Sequence, residues 1–166
     1  HITVARSGWS VRYPSRFQLV AAMNPCTCGY EGDPSGRCRC TAEQISRYRS
    51  RLSGPLLDRI DLQVRLAPVV ATELHDRTVV PESSAQVRAR LSVARERQSI
   101  RSGVSNAHLS IADLERCARL DGACRALLES ATAHLGFSAR AYHRLLRLAR
   151  TIADLGDSER VTRDHL

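Results

Sequence analysis

The sequence contains no lysine, because all 25 of its basic residues are arginine. Aromatic residues are also scarce, at 4% of the chain, while 43% of residues are hydrophobic, which suits a helix-rich protein packed with Leu, Ala and Val. No apolar run approaches the roughly 20 residues that span a bilayer, and no signal-peptide pattern is present. We therefore expect a cytoplasmic protein without membrane contact, whose six cysteines are thiols or metal ligands rather than disulfides.

The net charge of +8 is compatible with a nucleic-acid partner. The arginines are nevertheless spread along the chain instead of forming a block, and the exclusive use of arginine also fits a bias in genomic composition. Charge alone leaves both explanations open. The first residue is His1 and the last residues begin a new helical pattern, so we expect the sequence to be a piece of a longer protein.

Residues 1–66 carry the patterns of an α/β domain. Residues 2–13 alternate in polarity around a Ser-Gly pair, which predicts a β-hairpin. The nearly continuous apolar run of residues 17–23 predicts a central parallel strand covered on both faces, and the alternation of residues 60–66 predicts another strand. These strands are too few to close a covered sheet, so further strands are expected from an N-terminal portion that precedes this sequence.

Helical signals begin within this domain and dominate after it. A capping box, Thr41-x-x-Gln44, predicts a helix to about Leu52. Residues 67–83 contain two prolines and predict a linker. Residues 84–166 then predict four helices. The first begins at the capping pattern Ser83-x-x-Gln86 and the second at Ser110-x-x-Asp113. The third is indicated by an apolar face made of Leu120, Ala123, Leu127, Ala131 and Leu135. Ser138 caps the fourth, whose apolar stripe is Tyr142, Leu145, Leu146, Ala149, Ile152 and Ala153.

Two cysteine pairs form the most specific local pattern of the sequence. Cys26-x-Cys28 and Cys38-x-Cys40 lie on a loop rich in Gly, Pro and Asp, and four thiolates can close a tetrahedral zinc site. Most structural zinc pairs have two intervening residues, whereas these pairs have one. Reduced or redox-labile thiols and an iron–sulfur cluster therefore stay open as alternatives.

Three polar residues are candidates for contact with a ligand or an anion. Asn24 follows the predicted strand of residues 17–23, where it either contacts a ligand or simply ends the strand. Arg59 lies before the second predicted strand, either as a surface ion-pair partner or as a guanidinium offered to a phosphate across a subunit boundary. Arg140, Arg144 and Arg147 share one face of the fourth helix, which is either a solvated charged face or, at Arg140 in the first turn, the place of a bound anion, because the helix dipole disfavours a cation there.

The hairpin carries a possible nucleic-acid surface. Trp9, with Tyr13, can stack on bases, and Arg6 and Arg12 can contact phosphates. Ordinary cross-strand packing explains the aromatic residues equally well.

Three motifs in this order resemble the YifB/ComM family of bacterial magnesium-chelatase-like AAA+ ATPases. They are the run 17–26 with its Cys-x-Cys pairs, the segment 52–62, and the segment 135–144 around Leu135-Gly136-Phe137-Ser138. The resemblance implies the C-terminal half of an AAA+ P-loop ATPase core, made of the hairpin and parallel strands, followed by a helical lid. It implies ATP and Mg²⁺ as cofactors of the full-length protein and assembly into a hexameric ring.

Within this resemblance each candidate residue receives a role. Asn24 resembles the sensor that orients the attacking water, Arg59 the arginine finger that acts on the neighbouring subunit's ATP, and Arg140 the lid arginine that contacts the γ-phosphate. The hairpin resembles one that faces the central pore of related helicases. This sequence has neither the Walker A nor the Walker B motif, so it is not expected to hydrolyse ATP alone.

The resemblance favours a ComM-like DNA helicase that promotes branch migration. A magnesium-chelatase-type ATPase acting on a protein partner is the first alternative. A zinc-stabilised nucleic-acid-binding module without a motor role is the second.

Overall fold

The computed structural model describes residues 1–15, 17–69 and 80–166. These residues fall into two compact units, His1–Leu57 and Asp58–Leu166. The structure is mostly helical, with one small two-stranded sheet. None of the helices among these residues combines the length and the apolar character that crossing a bilayer requires. Residues 70–79 of the predicted linker lie outside the described ranges.

The first unit begins with the predicted hairpin. Strands β1 (Ile2–Arg6) and β2 (Trp9–Tyr13) pair antiparallel, with Arg6 opposite Trp9 at the turn. Ser7 and Gly8 both have positive φ, 41° and 89°, as a two-residue turn of the primed type requires. Glycine at the second position lets the backbone adopt this conformation without strain.

The predicted parallel strands of residues 17–23 and 60–66 are absent from the described part of the chain, and both predictions are wrong for this structure. Neither segment forms a strand in the described chain, and most of their apolar residues are exposed, as in Val20 (84%) and Leu66 (85%). A strand needs backbone partners on a neighbouring strand. Among the described residues, β1 and β2 are the strands formed, and they pair with each other.

Two helices complete the first unit. Helix α1 (Ala42–Arg49) begins at the predicted capping box, in which Thr41 and Gln44 satisfy each other's backbone N–H groups. It ends three residues before the predicted Leu52. The short helix α2 (Gly54–Leu57) starts at the segment predicted only to break α1, because Ser53 accepts the hydrogen bond of the Leu56 N–H.

The second unit contains the four predicted helices. They are α3 (Ser84–Ser102), α4 (Ile111–Ala118), α5 (Gly122–Leu135) and α6 (Ala139–Leu155), with a 3₁₀ turn at Asn106–His108. Side chains cap all four N-termini, and Gly103 with φ of 71° ends α3. These signals are local, so the sequence predicts the helix boundaries closely.

A single apolar core holds the second unit together. Its buried residues come from α4, α5, α6 and their connections: Leu109, Leu114, Cys117, Ala118, Leu128, Leu146, Ala149, Ala153 and Val161. The predicted face of the third helix is displaced by about one residue, because α5 buries Cys124 and Leu128 whereas Ala123 and Leu135 are exposed. On α6 the stripe is confirmed except at Ile152, which is 49% exposed.

Candidate metal centre and nucleotide-sensing residues

The loop after Asn24 gathers four cysteine side chains. The Sγ atoms of Cys26, Cys28, Cys38 and Cys40 all lie within 4.8 Å of one another. Three of the separations are 3.4, 3.8 and 3.7 Å, which are too long for disulfides. Four sulfurs at about 2.3 Å from a tetrahedral zinc ion would stand about 3.8 Å apart. The donor set therefore fits a thiolate-bound metal ion.

Backbone N–H groups surround the sulfurs and favour their ionised form. Hydrogen bonds from the backbone of Tyr30 and Arg39 lower the pKa of Cys28 to about 6. Burial raises the pKa of Cys26, but backbone hydrogen bonds from Glu31 and Cys28 outweigh it and the net shift is downward. Thiolates are the metal-binding form of cysteine, so this pair is prepared for ligation.

The pKa values of the second pair, Cys38 and Cys40, are shifted upward instead. A backbone hydrogen bond from Cys40 favours the thiolate of Cys38, but burial and the nearby sulfurs of Cys28 and Cys26 outweigh it and raise its pKa to about 11. The pKa of Cys40 is also raised. Four thiolates this close repel one another without a cation between them. A divalent ion removes that repulsion, which is the chemistry expected of a zinc ligand set.

The loop that carries the cysteines is braced by ion pairs. Arg37 binds Asp33 over 2.8 Å and stacks on the Tyr30 ring, with its guanidinium carbon 4.5 Å from the ring centre. Hydrogen bonds from Ser35 and Arg37 lower the pKa of Asp33 to about 2. Arg49 of α1 reaches back to Glu31 over 2.7 Å. These contacts hold the two cysteine pairs at opposite ends of one closed loop.

A groove of about 400 Å³ lies between the cysteines and α1. Cys28 and Cys40 border one side, and Arg47, Tyr48 and Arg51 border the other. Four thiolates around a divalent ion leave a net charge of −2. Arg51 and Arg47, the latter also paired with Glu43 over 3.4 Å, place positive charge at the groove beside the cluster.

Asn24 lies next to this loop in the first unit. A Cβ atom placed on Gly29 would stand 3.9 Å from Cγ and Nδ2 of Asn24, so the amide packs against the turn that carries Cys28. The segment before Asn24 is not a strand, and the residue is exposed. Its role as a sensor stays a prediction.

Arg59 and Arg140 belong to the second unit. Arg59 is exposed in the turn that follows α2, and Arg140 is exposed in the first turn of α6. Ser138 caps this helix by accepting a hydrogen bond from the Ala141 N–H. The described residues place no carboxylate in ion-pair contact with Arg140. The cation at the positive end of the helix thus remains available to an anion.

Arg144 and Arg147, which lie on the same face of α6 as Arg140, are not simply solvated. Arg144 donates from Nη1 to the main-chain oxygens of Asp58 and Ile60, and Arg147 donates to that of Leu109. Both side chains are half-buried. Arg144 therefore connects α6 to the turn that contains Arg59.

The hairpin divides the proposed nucleic-acid residues between two faces. Alternation along the paired strands places Arg6 and Trp9 on one face and Arg12 on the other. Trp9 is 62% exposed, and Tyr13 on the same face is 48% exposed. An exposed aromatic ring directly opposite a cation is suited to a stacked base with its phosphate.

Helix α6 also carries a buried polar network that was not predicted from the sequence. Arg150 is fully buried on α6 and binds Asp154 over 2.9 Å, and Asp154 also accepts hydrogen bonds from Arg101 and Asn106. The network ties α3 and the 3₁₀ turn to α6. The signal was present, because Arg150 follows Leu146 by one turn on the apolar face and Asp154 follows Arg150 by another.

Two family models match the chain. The model described as magnesium chelatase, subunit ChlI, matches residues 1–74, and the model of the ChlI C-terminal region matches residues 81–166. The mostly helical second unit is consistent with that C-terminal domain.

Curated relatives match over nearly the whole chain. The protein YifB of Escherichia coli is 46% identical over 167 residues, and competence protein ComM of Haemophilus influenzae is 42% identical over 166 residues. Each alignment covers 99% of this chain and 32% of the relative. A Mycobacterium tuberculosis protein is 39% identical over 158 residues, 93% of this chain and 31% of its own. The chain thus spans about a third of the length of these relatives, and it belongs to the magnesium chelatase ChlI family, on the side of the YifB and ComM proteins.

Proposed function

We propose that this chain is the nucleotide-sensing and subunit-interface part of an ATP-hydrolysing AAA+ ring motor that acts on DNA in the manner of a ComM-like helicase. The observation that carries the proposal is Arg140, an exposed cation in the first turn of α6. The helix dipole opposes a cation there, and a phosphate group reverses that penalty. The similarity to the competence protein ComM supports the same reading.

In this proposal each of the three residues has a separate role at the ATP phosphates. Arg140 contacts the γ-phosphate from the lid, and Asn24 orients the attacking water through its amide. Arg59 offers its guanidinium to the ATP of the next subunit, where it stabilises the charge that develops during phosphoryl transfer. ATP with Mg²⁺ supplies the phosphoryl group, and the phosphate-binding loop is contributed by residues outside this sequence. A hexameric ring in the cytoplasm is the assembly in which Arg59 acts.

DNA is proposed as the partner on the basis of charge and exposure. The net charge is +8, and Arg6 and Trp9 are exposed side by side at the tip of the hairpin. Cations bind the phosphates, and the indole ring stacks on bases without regard to sequence.

The test of the motor uses the full-length protein. Arg59→Ala is expected to abolish ATP turnover while nucleotide binding is retained, because a residue acting in trans is not needed to bind ATP. Arg65→Ala, another exposed arginine six residues later, is the matched control and should turn over ATP at the wild-type rate. Unchanged turnover in Arg59→Ala removes this residue from the site.

The choice of substrate needs a separate assay. A ComM-like motor is expected to move four-way DNA junctions in an ATP-dependent manner. The family description as a magnesium chelatase subunit favours a second candidate, an ATPase that acts on a protein partner. Full-length protein that hydrolyses ATP but leaves the junctions unchanged would support that candidate.

We also propose that Cys26, Cys28, Cys38 and Cys40 hold one Zn²⁺ with a structural role. The close approach of four sulfurs in a braced loop supports this. Elemental analysis of purified protein should give one zinc per chain, and iron with inorganic sulfide would indicate a cluster instead. If the zinc-bound protein binds DNA in a salt series without nucleotide but never hydrolyses ATP, a binding module without a motor role becomes the function.

A further inference from the structure

We infer that Arg144 is a positioning residue that holds the Arg59 turn from helix α6. The inference rests on the proposed role of Arg59 at the neighbouring subunit's ATP. Nη1 of Arg144 donates to the main-chain oxygen of Asp58 over 2.8 Å and to that of Ile60 over 3.2 Å. These two carbonyl groups flank Arg59 on either side, so one guanidinium fixes the backbone before and after it.

The physical case rests on what these bonds constrain. A guanidinium stays charged at every accessible pH, and a charged donor makes a stronger hydrogen bond than a neutral one. The Arg144 side chain is half-buried, whereas that of Arg59 is exposed. The contact therefore holds the peptide groups around Arg59, and Arg59 itself lies at the surface, where another subunit can reach it.

The same helix carries Arg140 one turn earlier. Four residues of an α-helix span about 6 Å, so the proposed γ-phosphate contact and the Arg59 anchor lie close together along α6. A shift of α6 when phosphate binds at Arg140 is thereby passed to the Asp58–Ile60 backbone. One helix then links the nucleotide state of a subunit to the presentation of Arg59 to the next subunit.

The first experiment measures ATP turnover of full-length variants. Arg144→Ala should lower kcat by about 100-fold, the effect of misplacing a catalytic group by about 1 Å, with little change in KM. Arg144→Lys should recover part of the activity, because an ammonium can still donate to a carbonyl. The matched control is Arg147→Ala, another half-buried arginine of α6, which binds the Leu109 carbonyl instead. It should keep wild-type kcat.

A second experiment separates action in trans from damage within one subunit. Arg144→Ala subunits are mixed with subunits whose phosphate loop is disabled but whose Arg59 and Arg144 are intact. The disabled subunits can present Arg59 to the competent sites of their Arg144→Ala neighbours. Turnover is expected to rise at intermediate mixing ratios above that of either protein alone.

The outcomes distinguish this inference from the proposed function. Loss of turnover in Arg59→Ala together with wild-type kcat in Arg144→Ala overturns the positioning role and leaves the motor intact. Absence of recovery in the mixed rings also overturns it, since the defect then lies within the subunit's own site. Wild-type turnover in Arg59→Ala defeats the proposed function itself. If Arg144→Ala does not fold, the same comparisons are made with Arg144→Lys, which must show a smaller fall in kcat that mixing reverses.

Discussion

Arg150 donates a hydrogen bond to Oδ1 of Asp154 over 2.9 Å, and neither side chain is more than 2% exposed. Arg101 and Asn106 also donate to the same carboxylate, so a single buried anion joins three elements of the second unit. Nη1 and Nη2 of Arg150 also donate to the main-chain oxygens of Cys117, Ser158 and Glu159. Removal of Asp154 takes the anionic partner from both Arg150 and Arg101, and Arg150 is fully buried.

We predict that Asp154→Ala destabilises the second unit by about 3–5 kcal/mol, the usual cost of leaving one member of a buried ion pair alone. Chemical unfolding of the chain, followed by its helical signal, measures this change. Asp113→Ala is the matched control, because Asp113 makes an ion pair with Arg116 at the surface of α4. It should shift the transition far less, and an equal shift in both variants would contradict the assigned importance of burial.

The same carboxylate predicts an acid-sensitive fold. Burial alone would raise the pKa of Asp154, but hydrogen bonds from Arg101 and Asn106 and the charge of Arg150 outweigh it, so the pKa lies below its usual range. A carboxyl group with a lowered folded-state pKa stabilises the fold above its unfolded pKa, and this contribution is lost as pH falls through the folded value. We expect the unfolding free energy to decrease below about pH 4, with a shallower decrease in Asp154→Ala.

The cysteine cluster predicts a difference between two buried thiols. Cys26 belongs to the cluster and Cys117 to the apolar core of the second unit, and both are buried. Cys26→Ser should release the zinc and loosen the loop around Asn24. Cys117→Ser should retain the full zinc content, although it introduces a hydroxyl into the core. Zinc content after gel filtration measures both, and metal retention in Cys26→Ser would contradict the assigned ligand set.

The hairpin predicts two different responses in binding to single-stranded DNA by the full-length protein. Trp9→Ala should weaken binding by about 1–3 kcal/mol at every salt concentration, because stacking releases no counterions. Arg6→Ala should reduce the slope of log affinity against log salt by about 0.7, because one phosphate contact is lost. Arg12→Ala serves as the control on the opposite face and should match the wild type. Equal effects of the Arg6 and Arg12 substitutions would contradict the prediction that DNA contacts only the hairpin face that carries Arg6 and Trp9.

Features of this fold that depend on residues close together in the sequence could be predicted, whereas features that depend on distant partners could not. Each helix start depends on a side chain within three residues, as with Ser83 and Gln86, and the hairpin depends on two turn residues. The helix starts at Thr41, Ser83, Ser110 and Ser138 and the hairpin turn were predicted, whereas the Asp121 cap of α5 and the short helix α2 were not. The parallel strands failed because a strand is stabilised by partners distant in sequence, and the described chain offers them none.

The candidate site also contains features that local sequence predicts and features that it does not. The cysteines come together because their spacing and the turns at Gly29 and Gly36 act locally. The contact of Arg144 with Asp58 joins residues 86 positions apart, and no local pattern encodes it. Arg150 was overlooked because a charged residue on an apolar stripe reads as an interruption of that stripe, whereas here its partner lies on the same helix.

The segment of residues 17–23 has a practical consequence for anyone who prepares this chain by itself. It is seven residues long, contains neither a charge nor a proline, and exposes Phe17 by 77% and Val20 by 84%. Its backbone is unpaired, so each copy offers another copy a template for intermolecular strand addition. Solubility of the isolated chain will therefore fall steeply with concentration, and a single Lys or Glu at position 20 should restore it.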